Sequence, residues 1–129
     1  MTAYTHPTIM VVDDSEDIRE LLRLQLRMLG YRVIEALNGR EAVELATKEC
    51  PALILMDITM PVLDGLAATR MIRGIAEICD VVIVAFTALH SGENRQSALA
   101  AGCNDYVQKP VRLEQLSNLL NRHLQEGVV

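Results

Sequence analysis

The run "IMVVDDSED", from Ile9 to Asp17, joins four apolar residues to two adjacent carboxylates, Asp13 and Asp14, with two more acids inside the next turn. Four apolar residues in a row leave no polar face, the pattern of a strand covered on both sides. Like charges repel, and more strongly beside a low-dielectric core. A buried strand that ends on an acid pair therefore asks for a compensating cation.

Similar runs recur along the chain. "TIMVVD" (8–13), "YRVIEA" (31–36), "ALILMD" (52–57), "VVIVAF" (81–86) and "DYVQK" (105–109) read as strands, the first, third and fourth apolar at nearly every position. The intervening stretches read as helices. Between Ser15 and Leu29, the residues Ile18, Leu21, Leu22 and Leu29 mark one face, and Gly30 follows as a stop. Leu24 and Met28 lie off that stripe and read as the margin of a wide core face, the alternative being a dock for a partner's helix. "NGRE" (38–41) has the capping-box pattern for a second helix ending near Cys50–Pro51. A third helix begins near Leu63 and stops at Gly74, and a fourth lies between Ser91 and Ala101. A fifth, "RLEQLSNLLNRHLQ", aligns Leu113, Leu116, Leu119, Leu120 and Leu124. This alternation predicts an α/β fold, a doubly wound five-stranded parallel sheet with helices on both faces and its ligand site at the carboxyl ends of the strands.

The chain has 129 residues, half of them hydrophobic, which suits one domain with a real core. A net charge of -5 argues against a surface built for nucleic acid or an anionic membrane. No run approaches the roughly 18 apolar residues of a membrane span, and "MTAYTHPT" lacks the regions of a signal peptide, so a cytoplasmic location is expected. Cys50, Cys79 and Cys103 follow no pairing pattern and read as free thiols in a reducing compartment, serving as small buried apolar residues. His6, His90 and His123 do not cluster at metal spacing and read as surface or loop residues.

The carboxyl ends of the strands carry the chemistry. The first ends in Asp13–Asp14, the third in Asp57, the fourth in Thr87 and the fifth in Lys109; the second ends in "EALNG" with nothing chemical. Singly, each has a bland reading: Asp13, Asp14 and Thr87 as helix caps, Asp57 and Lys109 as loop polar residues. Together, three acids, a hydroxyl and an ammonium on one rim suit phosphoryl transfer. A carboxylate can be the nucleophile, two others can hold a hard cation such as Mg²⁺, and the lysine and hydroxyl can meet phosphoryl oxygens.

The motifs "VVDDSE" (11–16), "LILMDITMPVLDG" (53–65), "VAFTA" (84–88) and "AGCNDYVQKP" (101–110) resemble the receiver domain of two-component response regulators over nearly the whole chain. The resemblance implies a flavodoxin-like sheet of order 2-1-3-4-5 in a single receiver domain, residues 1–129 with a core at 8–126. It implies that Asp57 accepts a phosphoryl group from a phosphohistidine on a histidine kinase or histidine phosphotransfer protein. Asp13, Asp14, Asp57 and the carbonyl of Thr59 would hold Mg²⁺, with Mn²⁺ as a substitute. Thr87, Lys109 and the amide of Ala88 would contact the phosphoryl oxygens. Tyr106 matches the aromatic switch position, and Lys109–Pro110 matches a peptide bond often cis in the family. Phosphorylation would draw Thr87 inward, admit the Tyr106 ring and shift the surface of helix 4, strand 5 and helix 5 toward a downstream protein target. Such a domain catalyses its own phosphorylation and dephosphorylation and turns over no separate substrate. Thr59 and Leu89 offer no acid or amide to orient water, so slow self-dephosphorylation is expected.

Three rivals are weighed. An aspartyl-phosphate phosphatase of the haloacid-dehalogenase kind places two acids two residues apart on its first strand, whereas here they are adjacent. A flavodoxin-like binder needs a phosphate loop where this chain has "DDSED". A phosphorylation-independent, receiver-like adaptor would not need the intact set of five site residues. The chain stops soon after the fifth helix, at "EGVV", from which a stand-alone receiver, monomeric or weakly dimeric, is expected, with a piece of a larger regulator or hybrid kinase as the alternative.

Overall fold

The computed structural model describes residues 7–58, 64–87 and 95–124. Strands and helices alternate as β1 (Thr8–Val12), α1 (Glu16–Met28), β2 (Arg32–Ala36), α2 (Gly39–Glu49), β3 (Leu53–Asp57), α3 (Gly65–Arg73), β4 (Val82–Thr87), α4 (Arg95–Ala101), β5 (Asp105–Gln108) and α5 (Leu113–Leu124). All four strand pairings are parallel, in the order β2-β1-β3-β4-β5. The fold class and the strand order are those expected.

The near-continuous apolar runs are buried on both faces because successive side chains point to opposite sides of the sheet. Met10, Val12, Ile54, Met56, Ile83 and Ala85 face one core, under α2, α3 and α4. Ile9, Val11, Leu53, Leu55, Val84 and Phe86 face the other, under α1 and α5. The first core takes its helical share largely from small residues, Ala42, Ala46, Ala68, Ala98 and Ala101, and the second from Leu22, Leu26, Leu116, Leu119 and Leu120.

Helices α1, α2 and α3 start where the sequence supplies a cap. Ser15 Oγ accepts from Ile18 N at 3.3 Å, with Glu16 and Asp17 in the first turn, where acids favour the helix dipole. Asn38 Oδ1 accepts from Glu41 N at 2.9 Å, and Glu41 returns the bond one residue outside the usual box, to Leu37 N at 2.7 Å. Asp64 Oδ1 accepts from Ala67 N at 2.8 Å. Gly30, with φ at 94°, takes the left-handed conformation that reverses the chain after α1.

Four expectations need correction. On α1 the core row is Leu22 and Leu26, flanked by Ile18 and Leu29, whereas Leu21 is 46% exposed. Leu21 precedes Leu22 by about 100° of helical arc, which carries it off the core row. Leu24 and Met28 are 52% and 73% exposed, so they are no margin of the core. The three cysteines are free, but only Cys103 is buried; Cys50 caps α2 and is exposed. His123 is partly buried on α5 and structurally engaged: its ring nitrogen Nε2 lies 2.8 Å from Asp105 Oδ2. His6 and His90 lie outside the described residues.

Candidate functional site

The parallel register delivers the predicted groups to one rim. Val12 pairs with Met56 across β1 and β3, so the residues that follow, Asp13 and Asp57, leave the sheet side by side. Asp57 pairs with Phe86, next to Thr87, and Thr87 pairs with Gln108, next to Lys109. Main-chain bonds fasten these ends: Lys109 N donates to Thr87 O at 2.8 Å, and Ile58 N to Phe86 O at 3.3 Å. The Lys109–Pro110 peptide bond is cis, as the resemblance implies.

The glycine in "VLDG" has a steric reason. A Cβ on Gly65 would collide with the main chain of Asp57 and Ile58, so only glycine lets the first turn of α3 lie against the end of β3.

Asp13, Asp57 and Thr87 are at most 1% exposed, whereas Asp14 is exposed. Carboxylate oxygens of Asp13, Asp14 and Asp57 all lie within 4.8 Å of one another. At that spacing, a pair of carboxylates repels by about 3 kcal/mol at an effective dielectric of about 20. The cation that meets them is Lys109, whose Nζ lies 2.8 Å from Asp13 Oδ2, 3.4 Å from Asp57 Oδ2 and 5.0 Å from the centre of the Phe86 ring. Burial alone would pull the Lys109 ammonium down. Its contact with Asp13 and the charges of Asp57 and Asp13 outweigh that, and its pKa is raised above the ordinary lysine value.

One lysine against three acids leaves a deficit of positive charge. Asp13 Oδ1 is committed to Ser15 N at 2.8 Å. Asp13 Oδ2 is buried and, among the described residues, accepts no well-aligned hydrogen bond despite the nearby ammonium. A buried carboxylate oxygen in that condition, within a set of hard oxygen donors, fits a divalent cation such as Mg²⁺.

The structure thus brings together Asp13, Asp14, Asp57, Thr87 and Lys109. Tyr106 stands apart on β5, partly buried against the α2–α3–α4 core. Thr59, Ala88 and Leu89 lie outside the described residues. Two residues were missed. Arg19 of α1 donates to the Asp13 main-chain oxygen at 2.8 Å, and Glu35 of β2 accepts from Arg19 Nε at 3.2 Å and from Arg23 at 2.8 Å. The strand said to carry nothing chemical at its end therefore reaches the acid pair through α1. The signal was the acid that interrupts the apolar residues Val33, Ile34 and Ala36 in "RVIEA".

Comparison with known proteins agrees with this geometry. The response regulator receiver domain profile matches residues 9–121. The transcriptional regulatory protein PrrA of Mycobacterium tuberculosis is 38% identical over 115 residues, 89% of this chain and 48% of that protein. This chain thus spans about half the length of that relative. Among solved structures, the receiver domain of the Pseudomonas aeruginosa sensor histidine kinase PA1611, with magnesium coordinated in its active-site cleft, superposes with a TM-score of 0.84 at 38% identity, covering 91% of this chain and 96% of that one. The Vibrio cholerae chemotaxis protein CheY4 superposes with a TM-score of 0.84 at 32% identity, covering 91% and 98%. With five parallel strands in this order, an acid-rich rim and a family match over nearly its whole length, the chain belongs to the response regulator receiver domains, a family of signalling domains of two-component systems.

Proposed function

We propose that residues 1–129 form one receiver unit in which Asp57 accepts a phosphoryl group from a phosphohistidine on a histidine kinase or phosphotransfer protein. The observation that supports this most is the buried Asp57 carboxylate, within 4.8 Å of two other acids and 3.4 Å from the only lysine at the rim among the described residues. Asp57 supplies the nucleophilic oxygen: its new P–O bond forms as the P–N bond to the donor imidazole breaks, and the nitrogen keeps the electron pair. Lys109 stabilises charge on the phosphoryl oxygens, and Thr87 donates its hydroxyl to one of them. Asp13 and Asp14, with Asp57 and the Thr59 carbonyl, hold Mg²⁺ or Mn²⁺, which when bound offsets the charge gathered at the acids and the phosphoryl group. The Ala88 amide completes the set of donors.

The readout is a population shift. Thr87 turns toward the phosphoryl group, the Tyr106 ring takes the space it leaves, and the surface of α4, β5 and α5 changes for a protein target. On α1, the exposed Leu21, Leu24 and Met28 offer the donor protein an apolar contact. Thr59 and Leu89 give attacking water no orienting group, which favours a slow return to the unphosphorylated form. We read the chain as a cytoplasmic signalling component; among the described residues no helix is long and apolar enough to cross a membrane.

The test is incubation with Mg²⁺ and acetyl phosphate followed by intact mass analysis. Wild type gains one phosphoryl group and Asp57→Asn gains none. Equal labelling of the two would end the assignment. An adaptor that works without phosphorylation would show no labelling at all, and a phosphatase would turn over small phosphate esters.

A further inference from the structure

Asp13 is held at three of its atoms. Its N–H donates to Ala36 O at the end of β2 (3.2 Å), its Oδ1 accepts from Ser15 N (2.8 Å), and its main-chain oxygen accepts from Arg19 Nη1 (2.8 Å). Arg19 is in turn held by Glu35, whose Oε1 accepts from Arg19 Nε at 3.2 Å and whose Oε2 accepts from Arg23 Nη1 at 2.8 Å. The register explains why Glu35 points this way: it pairs with Val11, which faces the α1 side of the sheet. The Arg19 and Glu35 side chains are only 11% and 26% exposed, so the link is partly shielded from solvent.

The geometry points to Arg19 and Glu35 as positioning residues for the cation site. Arg19 fixes the main chain of Asp13, and Glu35 both fixes Arg19 and cancels positive charge behind the acid pair. The inference rests on the cation-site reading above. Its logic is one of charge balance. A guanidinium is a good clamp for a main-chain oxygen but a poor neighbour for a site that must attract a divalent cation. Arg19 and Arg23 against Glu35 leave one net positive charge; without Glu35 they leave two. A role confined to tying α1 to β2 predicts loss of stability alone, whereas the positioning role predicts a change in metal affinity that follows the local charge.

The experiment titrates the full chain with Mg²⁺ alone, by calorimetry at low ionic strength, with urea unfolding run on every variant. Glu35→Gln keeps an oxygen for Arg19 but removes the charge, and raises the Mg²⁺ Kd about fivefold, less at high salt. Arg19→Lys keeps the charge but loses the forked reach, and raises Kd about tenfold. The double variant Glu35→Gln, Arg23→Gln restores the local charge and returns Kd to within about twofold of wild type, although it is no more stable than Glu35→Gln. Unchanged Kd in Glu35→Gln, or a double variant that binds no better, overturns the inference. If Arg19→Lys fails to fold, the Glu35 variants decide it by themselves. A wild type that takes up no Mg²⁺ overturns this inference and the cation site together; normal wild-type uptake, lost in Asp13→Asn, with unchanged Glu35 variants overturns this inference alone.

Discussion

Two aspartate clusters flank β5, and their charge balance is opposite. At the start of the strand, Asp105 is 7% exposed, accepts from Tyr106 N at 2.8 Å, pairs with His123 Nε2 at 2.8 Å, and has the guanidinium groups of Arg122 and Arg95 as ion-pair partners at 3.6 Å and 3.9 Å. Just beyond its end, Lys109 is the one lysine beside Asp13, Asp14 and Asp57 among the described residues. One acid among several bases is complete as it stands and pins α5 to the sheet. Three acids around one base keep a surplus of negative charge, which on the function proposed above a divalent cation would offset. Buried charge alone does not mark a functional site; its imbalance does.

The largest expected break in this contrast is Lys109→Met. Removing one partner of a buried ion pair costs about 3 kcal/mol, because the remaining charge is left uncompensated. Urea unfolding at neutral pH without metal should show that loss, and saturating Mg²⁺ should recover much of it, since the ion replaces the missing charge. An equal loss with and without Mg²⁺ would mean that the rim does not take the cation.

A smaller effect is expected from Asp105→Asn, about 1.5 kcal/mol at neutral pH and indifferent to Mg²⁺, from weakened hydrogen bonds to a charged group. Its pH dependence has a definite sign. Burial pushes the Asp105 carboxyl up, but the His123 and Tyr106 hydrogen bonds and the Arg122 and His123 charges outweigh it, and its pKa lies below the ordinary value. Its contribution is therefore present above the unfolded pKa of about 4 and lost as pH falls through the lower folded value. The gap between wild type and Asp105→Asn should close over that acidic range. A gap that stays constant below pH of about 3 would show that charge is not what Asp105 contributes.

The two clusters also differed in how far the sequence revealed them. The rim was legible because a parallel sheet sends every strand's carboxyl end to one edge, so four short motifs sufficed to bring Asp13, Asp14, Asp57, Thr87 and Lys109 together. The Asp105 cluster was not, because His123 and Arg122 sit on α5, and only the packed position of that helix decides which strand residue they meet. Arg19 and Glu35 escaped for the same reason: an edge strand and a helix meet through side chains whose pairing depends on register. The apolar stripe of α1 misled differently, since leucines at 21, 22, 24 and 26 fit more than one helical face.

The subtlest prediction reverses the sign of the last substitution. Asp14→Asn makes the chemical change of Asp105→Asn, but at an exposed member of the surplus-acid group. Without metal, it removes a repulsion and should stabilise the fold by about 0.5 kcal/mol, a small gain because water screens an exposed carboxylate. With Mg²⁺ present, the same variant should gain less stability than wild type, because a ligand is gone and ligand-linked stabilisation follows affinity. Thermal unfolding of both proteins across a Mg²⁺ series reads the two effects at once: the curves of stability against Mg²⁺ should cross, with the variant ahead at zero metal and behind at saturation. A variant that is less stable than wild type at every Mg²⁺ concentration would mean that Asp14 is held by local bonds, as Asp105 is, and that the rim carries no surplus of negative charge.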